Sequence, residues 1–94
     1  MQKISNIIAS IKFDQKTSKL VVNGSAEFKV WVETIFNQDI YETTLITDLS
    51  FVKESEYEYT VTADNSGFNT IELQLSNKAK TKTTVSNTLL AIVE

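Results

Sequence analysis

Hydrophobic and polar residues alternate with a period of two along most of this chain. That period places successive side chains on opposite faces of an extended strand, and it therefore predicts β-strands. The first run has its apolar residues at Ile7, Ala9, Ile11 and Phe13. The second has them at Leu20, Val22, Ala26, Phe28, Val30 and Val32, with Glu27, Lys29, Trp31 and Glu33 on the opposite face. Residues 25–37 are too many for one unbroken strand, so we expect a bulge or bend near residues 34–36.

The same alternation continues to the end of the chain. It runs through residues 41–47, 57–63, 71–75 and 85–93, and polar turn residues separate the runs at 14–18, 23–25, 37–39, 53–55, 64–67 and 77–80. In the closing run Val85, Leu89, Ala91 and Val93 share one phase, while Leu90 and Ile92 make the other face apolar as well. We therefore expect the closing strand to be covered by the N-terminal strand or by a second subunit.

These runs predict an all-β chain without helices. Val, Ile and Thr, which favour strands, make up close to a third of the 94 residues. About seven short strands separated by turns at this spacing are typical of a single antiparallel β-sandwich, which we assign to residues 1–94. A folded chain of this length buries roughly 64% of its extended surface, which is enough for one hydrophobic core.

Several stretches resemble the immunoglobulin-like sandwiches of bacterial and phage proteins, the group that includes Big, PKD and fibronectin type III-like domains. Residues 20–28 (LVVNGSAEF) are similar to that group's edge strand, glycine turn and first core strand. Residues 64–67 (DNSG) and 70–77 (TIELQLSN) are similar to its penultimate strand with the turn before it, and residues 83–93 to its closing strand. The resemblance implies an immunoglobulin-like sandwich that acts as a spacer, an adhesion module, or a virion or cell-surface decoration.

The composition excludes several kinds of chemistry. The chain contains no His, Cys, Pro or Arg, so it can form no Ser-His-Asp triad, reactive thiolate, disulfide or ordinary zinc site. A net charge of −3 without any Arg disfavours binding to a phosphate backbone. No apolar run reaches the ~18 residues of a membrane span, and residues 1–11 are too weakly apolar for a secretion signal. We therefore expect no enzymatic activity, cofactor, metal site, nucleic-acid partner or membrane insertion.

Trp31 and Tyr41 are the candidate aromatic binding residues. Alternation places Trp31 on the polar face of its strand, where a Trp side chain can anchor a protein partner or a sugar ring. The alternative is that a loop covers Trp31 or that a bulge turns it inward. A carbohydrate-binding module would present Trp31 and Tyr41 together on one exposed face.

Two rows of like charge are the other candidate binding residues. One row on a single strand face consists of Glu54, Glu56 and Glu58, and the other, around the last hairpin, of Lys78, Lys80 and Lys82. Each row could contact a partner of opposite charge, and the two rows could complement one another between neighbouring copies. The alternative is that both are solvated charges that prevent edge-to-edge aggregation. Same-face carboxylates on one strand lie about 7 Å apart, too far to chelate one cation unaided.

The sequence therefore favours a non-catalytic structural or binding module that mediates protein or surface contacts. The resemblance suggests a bacteriophage virion, a bacterial surface or an extracellular assembly as its setting, with the chain forming part of a larger protein or a homo-oligomer. Two alternatives stay open: a carbohydrate-binding module that uses exposed aromatic residues, and a small intracellular interaction or inhibitor protein. The expected partner is a protein or a surface glycan.

Overall fold

The computed structural model describes residues 19–94, and this part of the chain contains β-strands and no helix. The strands are β1 (Lys19–Val22), β2 (Glu27–Trp31), β3 (Tyr41–Thr47), β4 (Ser50–Ser55), β5 (Glu58–Thr62), β6 (Gly67–Asn77), β7 (Thr83–Val85) and β8 (Leu89–Val93). The all-β class predicted from the alternation is confirmed. The strand predicted over residues 7–13 lies outside the described residues.

The eight strands form two sheets that pack as a sandwich. The larger sheet has the order β1-β8-β6-β3, with β7 also paired to β6, and the smaller has the order β2-β5-β4. Every pair is antiparallel except β1 with β8, which run parallel from the Lys19–Leu90 pair to the Val22–Val93 pair. The chain changes sheet between β1 and β2, between β2 and β3, between β3 and β4, and between β5 and β6. Four of the seven connections between these strands therefore link one sheet to the other.

The core lies between the central strands of the two sheets. From β6 it takes Ile71, Leu73 and Leu75, and from β5 it takes Tyr59 and Val61, all of them fully buried. These are the positions that the period of two predicts to face inward. The alternation also predicts the inner face of β2 correctly, because Val30 is buried while Lys29 and Trp31 on either side are exposed.

The connection between β4 and β5 differs from the prediction. The turn expected at residues 53–55 is instead the end of β4, and the chain reverses at Glu56–Tyr57. Every residue of β4 is exposed, because it is an edge strand. Its inward-facing positions are Phe51 and Lys53, so it carries no run of alternating apolar residues from which a strand could be predicted. A shift in pairing register between Lys53 and Ser55 marks a β-bulge just before the turn.

The closing run is divided into β7 and β8. Both strands pair with the edge of β6 opposite β3, and Ser86 lies at the break between them. The Ser86 hydroxyl accepts a hydrogen bond from the Leu73 amide at 2.9 Å, and the Ser86 amide donates to the Leu73 carbonyl at 2.7 Å. The break shifts the strand phase by one residue. Val85, predicted to face inward with Leu89, is therefore exposed.

The predicted bend and turns have local causes in the structure. The chain bends at Thr34, as expected from the length of residues 25–37. In the turn after β1, the positive φ falls on Ser25, at 68°, rather than on Gly24. Gly24 is required there for a different reason, because a Cβ atom would lie 3.2 Å from the carbonyl oxygen of Glu94, to which the Gly24 amide donates.

Leu73 provides a test of the core assignment. Replacing this buried residue of the central strand β6 by Ala should lower the free energy of unfolding by about 2–5 kcal/mol, because it removes packing and leaves a cavity. The matched control is Val85→Ala, a truncation at a position 49% exposed, which should change stability by less than about 0.5 kcal/mol. Urea denaturation followed by circular dichroism measures both, and equal losses would contradict the assigned core.

Candidate functional site

Three connections meet at one end of the sandwich, which we call the loop end. It consists of residues 32–40 between β2 and β3, the Glu56–Tyr57 turn, and residues 78–82 between β6 and β7. The rings of Phe36 and Tyr57 stack with centroids 4.8 Å apart. The Phe36 amide donates to the Tyr57 hydroxyl at 3.1 Å, and that hydroxyl donates to the Phe36 carbonyl at 2.8 Å. The Lys78 amide donates to the Ile40 carbonyl at 2.8 Å, so all three connections are joined.

The candidate residues predicted from the sequence all lie at or beside this end. Trp31 ends β2, Tyr41 begins β3, the three glutamates surround the Glu56–Tyr57 turn, and the three lysines lie on the connection that follows Asn77. The alternation in the sequence did not predict this convergence, because a strand pattern does not say which strand ends meet.

Trp31 is exposed, as its place in the alternation predicts, whereas Tyr41 is not. The Trp31 side chain is 42% exposed and lies on the outer face of the smaller sheet, opposite Glu58 on β5. Tyr41 is only 8% exposed, because the phase of β3 turns it inward with Thr43 and Leu45. The arrangement that a carbohydrate-binding module would need, with Trp31 and Tyr41 together on one exposed face, is therefore not present.

The three glutamates do not form one row on one strand. Glu54 belongs to β4 and Glu58 to β5, and both face outward on the smaller sheet, while Glu56 lies in the turn between them. Glu58 pairs with Lys29 at 2.8 Å. Glu54 accepts a hydrogen bond of 2.9 Å from Thr60, whose hydroxyl in turn accepts one of 3.0 Å from Lys29. The hydrogen bond to Glu58 raises the pKa of Lys29 above its usual value.

Glu56 instead turns towards the other sheet and binds the outer edge of β3. Its carboxylate accepts hydrogen bonds from the Thr43 amide at 2.7 Å and from the Thr43 hydroxyl at 3.1 Å. Lys53 pairs with the same carboxylate at 3.0 Å and donates to the Thr43 carbonyl at 2.6 Å. The Thr43 hydroxyl also lies 2.9 Å from the hydroxyl of the fully buried Tyr59. This polar cluster ties the β4–β5 hairpin to β3.

The pKa of Glu56 follows from this position. Partial burial raises the pKa, but the Thr43 amide and the Lys53 ammonium group stabilise the carboxylate more strongly, so the net result is a pKa below the usual 4.5. Burial raises the pKa of the Tyr59 hydroxyl. Glu56 is therefore held as an anion that binds backbone and ammonium groups within the chain, and it is not presented to a partner.

The lysine row is partly neutralised within the chain. Lys80 forms an ion pair with Glu42, which lowers the pKa of the Glu42 carboxyl through that hydrogen bond. Lys78 and Lys82 are exposed. The Asn77 side chain holds the connection in place by accepting hydrogen bonds from the Thr81 amide at 2.9 Å and the Lys82 amide at 3.1 Å. The proposed complementarity between glutamate and lysine rows of neighbouring copies stays a prediction.

Two exposed apolar residues at the loop end were not predicted as candidates. Ile35 is 74% exposed and Ile40 is 44% exposed, and both lie in the connection whose base is fixed by Phe36. The sequence feature that could have indicated them is an Ile on each side of Phe36, in a segment where the alternation of apolar and polar residues breaks. In the sequence this break indicates only a bend, and in the structure Phe36 is buried while Ile35 and Ile40 are exposed.

An open groove of about 440 Å³ lies on the outer face of the smaller sheet. Its lining consists of Glu27, Phe28, Lys29, Val52, Glu54 and Thr60. Trp31 lies two residues beyond Lys29 on the same face, about 7 Å along the strand. The arrangement offers a carboxylate, an ammonium group and a hydroxyl beside an apolar ring, which suits binding through hydrogen bonds and stacking.

Within residues 19–94, no group of three or more acidic, His or Cys side chains is placed to hold a metal ion. No helix long and apolar enough to cross a membrane is found in this same part of the chain.

The fold is shared with solved modules of a bacterial protein. No protein-family model matches the chain, and no curated protein matches its sequence. The chain is similar in structure to the fibronectin(III)-like modules of Clostridium thermocellum CbhA, with a TM-score of 0.68 over 88% of this chain and 93% of that one. The two sequences are 9% identical, so the likeness establishes the fold. The predicted immunoglobulin-like β-sandwich is thereby confirmed.

The Glu56 cluster makes stability depend on pH in one direction. Because the pKa of Glu56 is lowered on folding, its carboxylate stabilises the fold above the usual value of 4.5, and this contribution is lost as the pH falls through the folded pKa. Glu56→Gln should therefore lower the free energy of unfolding by about 1–3 kcal/mol at neutral pH, and the difference from wild type should shrink as the pH falls below the usual value and through the folded pKa of Glu56. Urea titrations across that range measure it. Glu27→Gln, an exposed control, should leave the neutral-pH stability nearly unchanged.

The Tyr57 hydroxyl provides a separate test of the loop end. Tyr57→Phe keeps the stacked ring but leaves the Phe36 amide and carbonyl without this partner, so we expect a loss of about 1–3 kcal/mol. Hydrogen exchange of the Phe36 amide should also become at least about tenfold faster, since local opening costs less. Unchanged exchange would show that the Tyr57 hydroxyl does not fix the β2–β3 connection.

Proposed function

We propose that this chain is a non-catalytic structural or binding module that contacts a protein partner through its loop end. The observation that carries the proposal is the exposure of three apolar side chains at this end of the sandwich. Trp31, 42% exposed, is the last residue of β2 beside the loop end, and Ile35 and Ile40, 74% and 44% exposed, lie on the β2–β3 connection that is bonded to the other two. Exposed apolar groups that cluster on a protein surface mark interaction sites, and Trp is among the residues that contribute most to binding free energy.

The rigid base of the loop end favours binding. Phe36 is buried, and its backbone is held on both sides by the Tyr57 hydroxyl. A connection already fixed in place loses little conformational freedom when a partner binds, so more of the contact energy appears as affinity. The ion pairs Lys29–Glu58 and Lys80–Glu42 lie at the same end of the sandwich and suit the polar rim of an interface.

The ionisation of the carboxylates supports a non-catalytic role. A general acid needs a carboxyl whose pKa is raised towards the working pH. The pKa values of three carboxyl groups are instead lowered. A hydrogen bond from Lys80 lowers that of Glu42, and a hydrogen bond from Ser50 lowers that of Asp64. For Glu56, burial raises the pKa, but the contacts with Thr43 and Lys53 outweigh it. These groups are suited to structural ion pairs and hydrogen bonds.

The setting that we propose is a bacteriophage virion, a bacterial surface or an extracellular assembly, where such domains act as repeated or decorating modules. The modular use of this fold in Clostridium thermocellum CbhA is consistent with a module of a larger bacterial assembly. A surface glycan is the second candidate partner, because Trp31 lies beside a groove that carries the polar side chains of Lys29, Glu54 and Thr60.

Affinity capture from the native source tests the proposal. The folded domain should capture a partner that mass spectrometry identifies, and binding measured with that purified partner should weaken at least about tenfold for Trp31→Ala and for Ile35→Ser. Ser66→Ala, an exposed control between β5 and β6 at the opposite end of the sandwich, should bind like wild type. Equal binding by all four proteins would exclude the loop end as the contact surface.

A glycan partner gives a different result. Trp31 is the only Trp in the chain, so its intrinsic fluorescence reports directly on this face. A saturable change in this fluorescence on titration with oligosaccharides, lost in Lys29→Met and Thr60→Val, would indicate that the partner is a glycan and not a protein. A flat titration together with retained protein capture would support the protein contact.

A further inference from the structure

The outer face of the larger sheet carries a second apolar surface, separate from the loop end. Its exposed members are Phe68, Val21, Val85 and Ile46, with exposures of 77%, 52%, 49% and 43%. Leu90 and Ile92 on β8 lie half-buried between them. We call these six residues the outer apolar face.

Strand pairing makes the centre of this face continuous. Val21 on β1 is the partner of Ile92 on β8, and Ile92 is in turn the partner of Phe68 on β6, so three apolar side chains form one row across three strands. Leu90 lies in the next row on the same side, beside Thr70. Directly opposed residues on neighbouring strands are close enough to form one surface.

Neither the core nor the proposed function explains this row. The inward phase of β8 and β6 fills the core with Leu89, Ala91 and Ile71, so the outward phase is not needed for packing. Phe68 lies near the beginning of the eleven-residue strand β6, and the loop end lies beyond its last residue, Asn77. Contiguous exposed apolar surface is uncommon on a monomer and indicates a contact surface.

We propose that a second copy of this chain packs face to face on the outer apolar face. Sheets with apolar outer faces stack about 10 Å apart with strands nearly aligned, and two copies of one sheet have the same twist, so they can pack as the two sheets of a sandwich do. Lys19 and Glu72 also lie on this face and carry opposite charges. Two copies of the face therefore do not repel each other through an excess of one charge. A two-fold arrangement would use the same patch on both copies.

The size of the face sets the strength of the contact. At any point along β6 the face is at most three strands wide, because β8 and β1 lie beside its first part and β3 and β7 beside its second. The planar area is therefore at most roughly 500 Å² per copy, well below the ~800 Å² that each partner contributes to a standard interface. The dimer is therefore weak and forms at high local concentration, as in an assembly of many copies.

Sedimentation equilibrium over a range of roughly 10 μM to 1 mM tests the proposal on the full chain. Wild type should show a reversible monomer–dimer equilibrium, and Phe68→Ser should weaken it at least about tenfold. Val52→Ser is the matched control, because Val52 is 59% exposed on the smaller sheet and its loss should leave dimerisation unchanged. A wild-type protein that stays monomeric at the highest concentration overturns the proposal, as does a dimer weakened by Val52→Ser and not by Phe68→Ser.

Crosslinking gives a readout that does not depend on the stability of the variants. The chain has no Cys, so single-cysteine variants carry one thiol each. Thr70→Cys, exposed beside Leu90 on the proposed interface, should give covalent dimers with a short bismaleimide, and Val52→Cys should give few under the same conditions. Equal yields from the two variants would show random collision and would overturn the face-to-face arrangement.

Discussion

Glu56 and Lys53 take the place of a neighbouring strand at one edge of β3. The carboxylate binds the Thr43 amide and the ammonium group binds the Thr43 carbonyl, at 2.7 and 2.6 Å, so both outward backbone groups of that residue are satisfied. Since Thr43 belongs to the larger sheet and the β4–β5 hairpin to the smaller, one ion pair both covers the sheet edge at Thr43 and links the two sheets. An edge strand whose backbone groups are bound by side chains at one position is also less able to pair with another chain there.

The loop end depends on the same constraint. With the β4–β5 hairpin held against β3, Tyr57 is placed where its ring stacks on Phe36 and its hydroxyl binds the Phe36 backbone. The β2–β3 connection then has a fixed base, and Ile35 and Ile40 are left on its outer side. A binding surface made of connections can thus be as well defined as one made of strands, because interlocked side chains restrict the connections.

The predictive power of the sequence was uneven, for identifiable reasons. Inward positions such as Val30, Tyr59 and Leu73 were predicted correctly, because each lies in a strand with one buried face. The strand β4 is not predicted because it is an exposed edge strand whose inward-facing side chains, Phe51 and Lys53, do not form an apolar alternation. Val85 was assigned the wrong orientation because the break at Ser86 shifts the phase, and that shift depends on a hydrogen bond to Leu73, which is distant in sequence.

The sequence by itself determined the strand content, the inward-facing residues and the absence of thiol and imidazole chemistry, since these follow from local periodicity and composition. Only the tertiary structure decided which strand ends meet, and therefore that Trp31 lies beside Glu58 while Tyr41 is buried in the other sheet. It also separated Glu56 from Glu54 and Glu58, which look equivalent along the chain. The physical reason is that hydrogen bonds and ion pairs across the sandwich join residues whose separation in sequence carries no periodic signal.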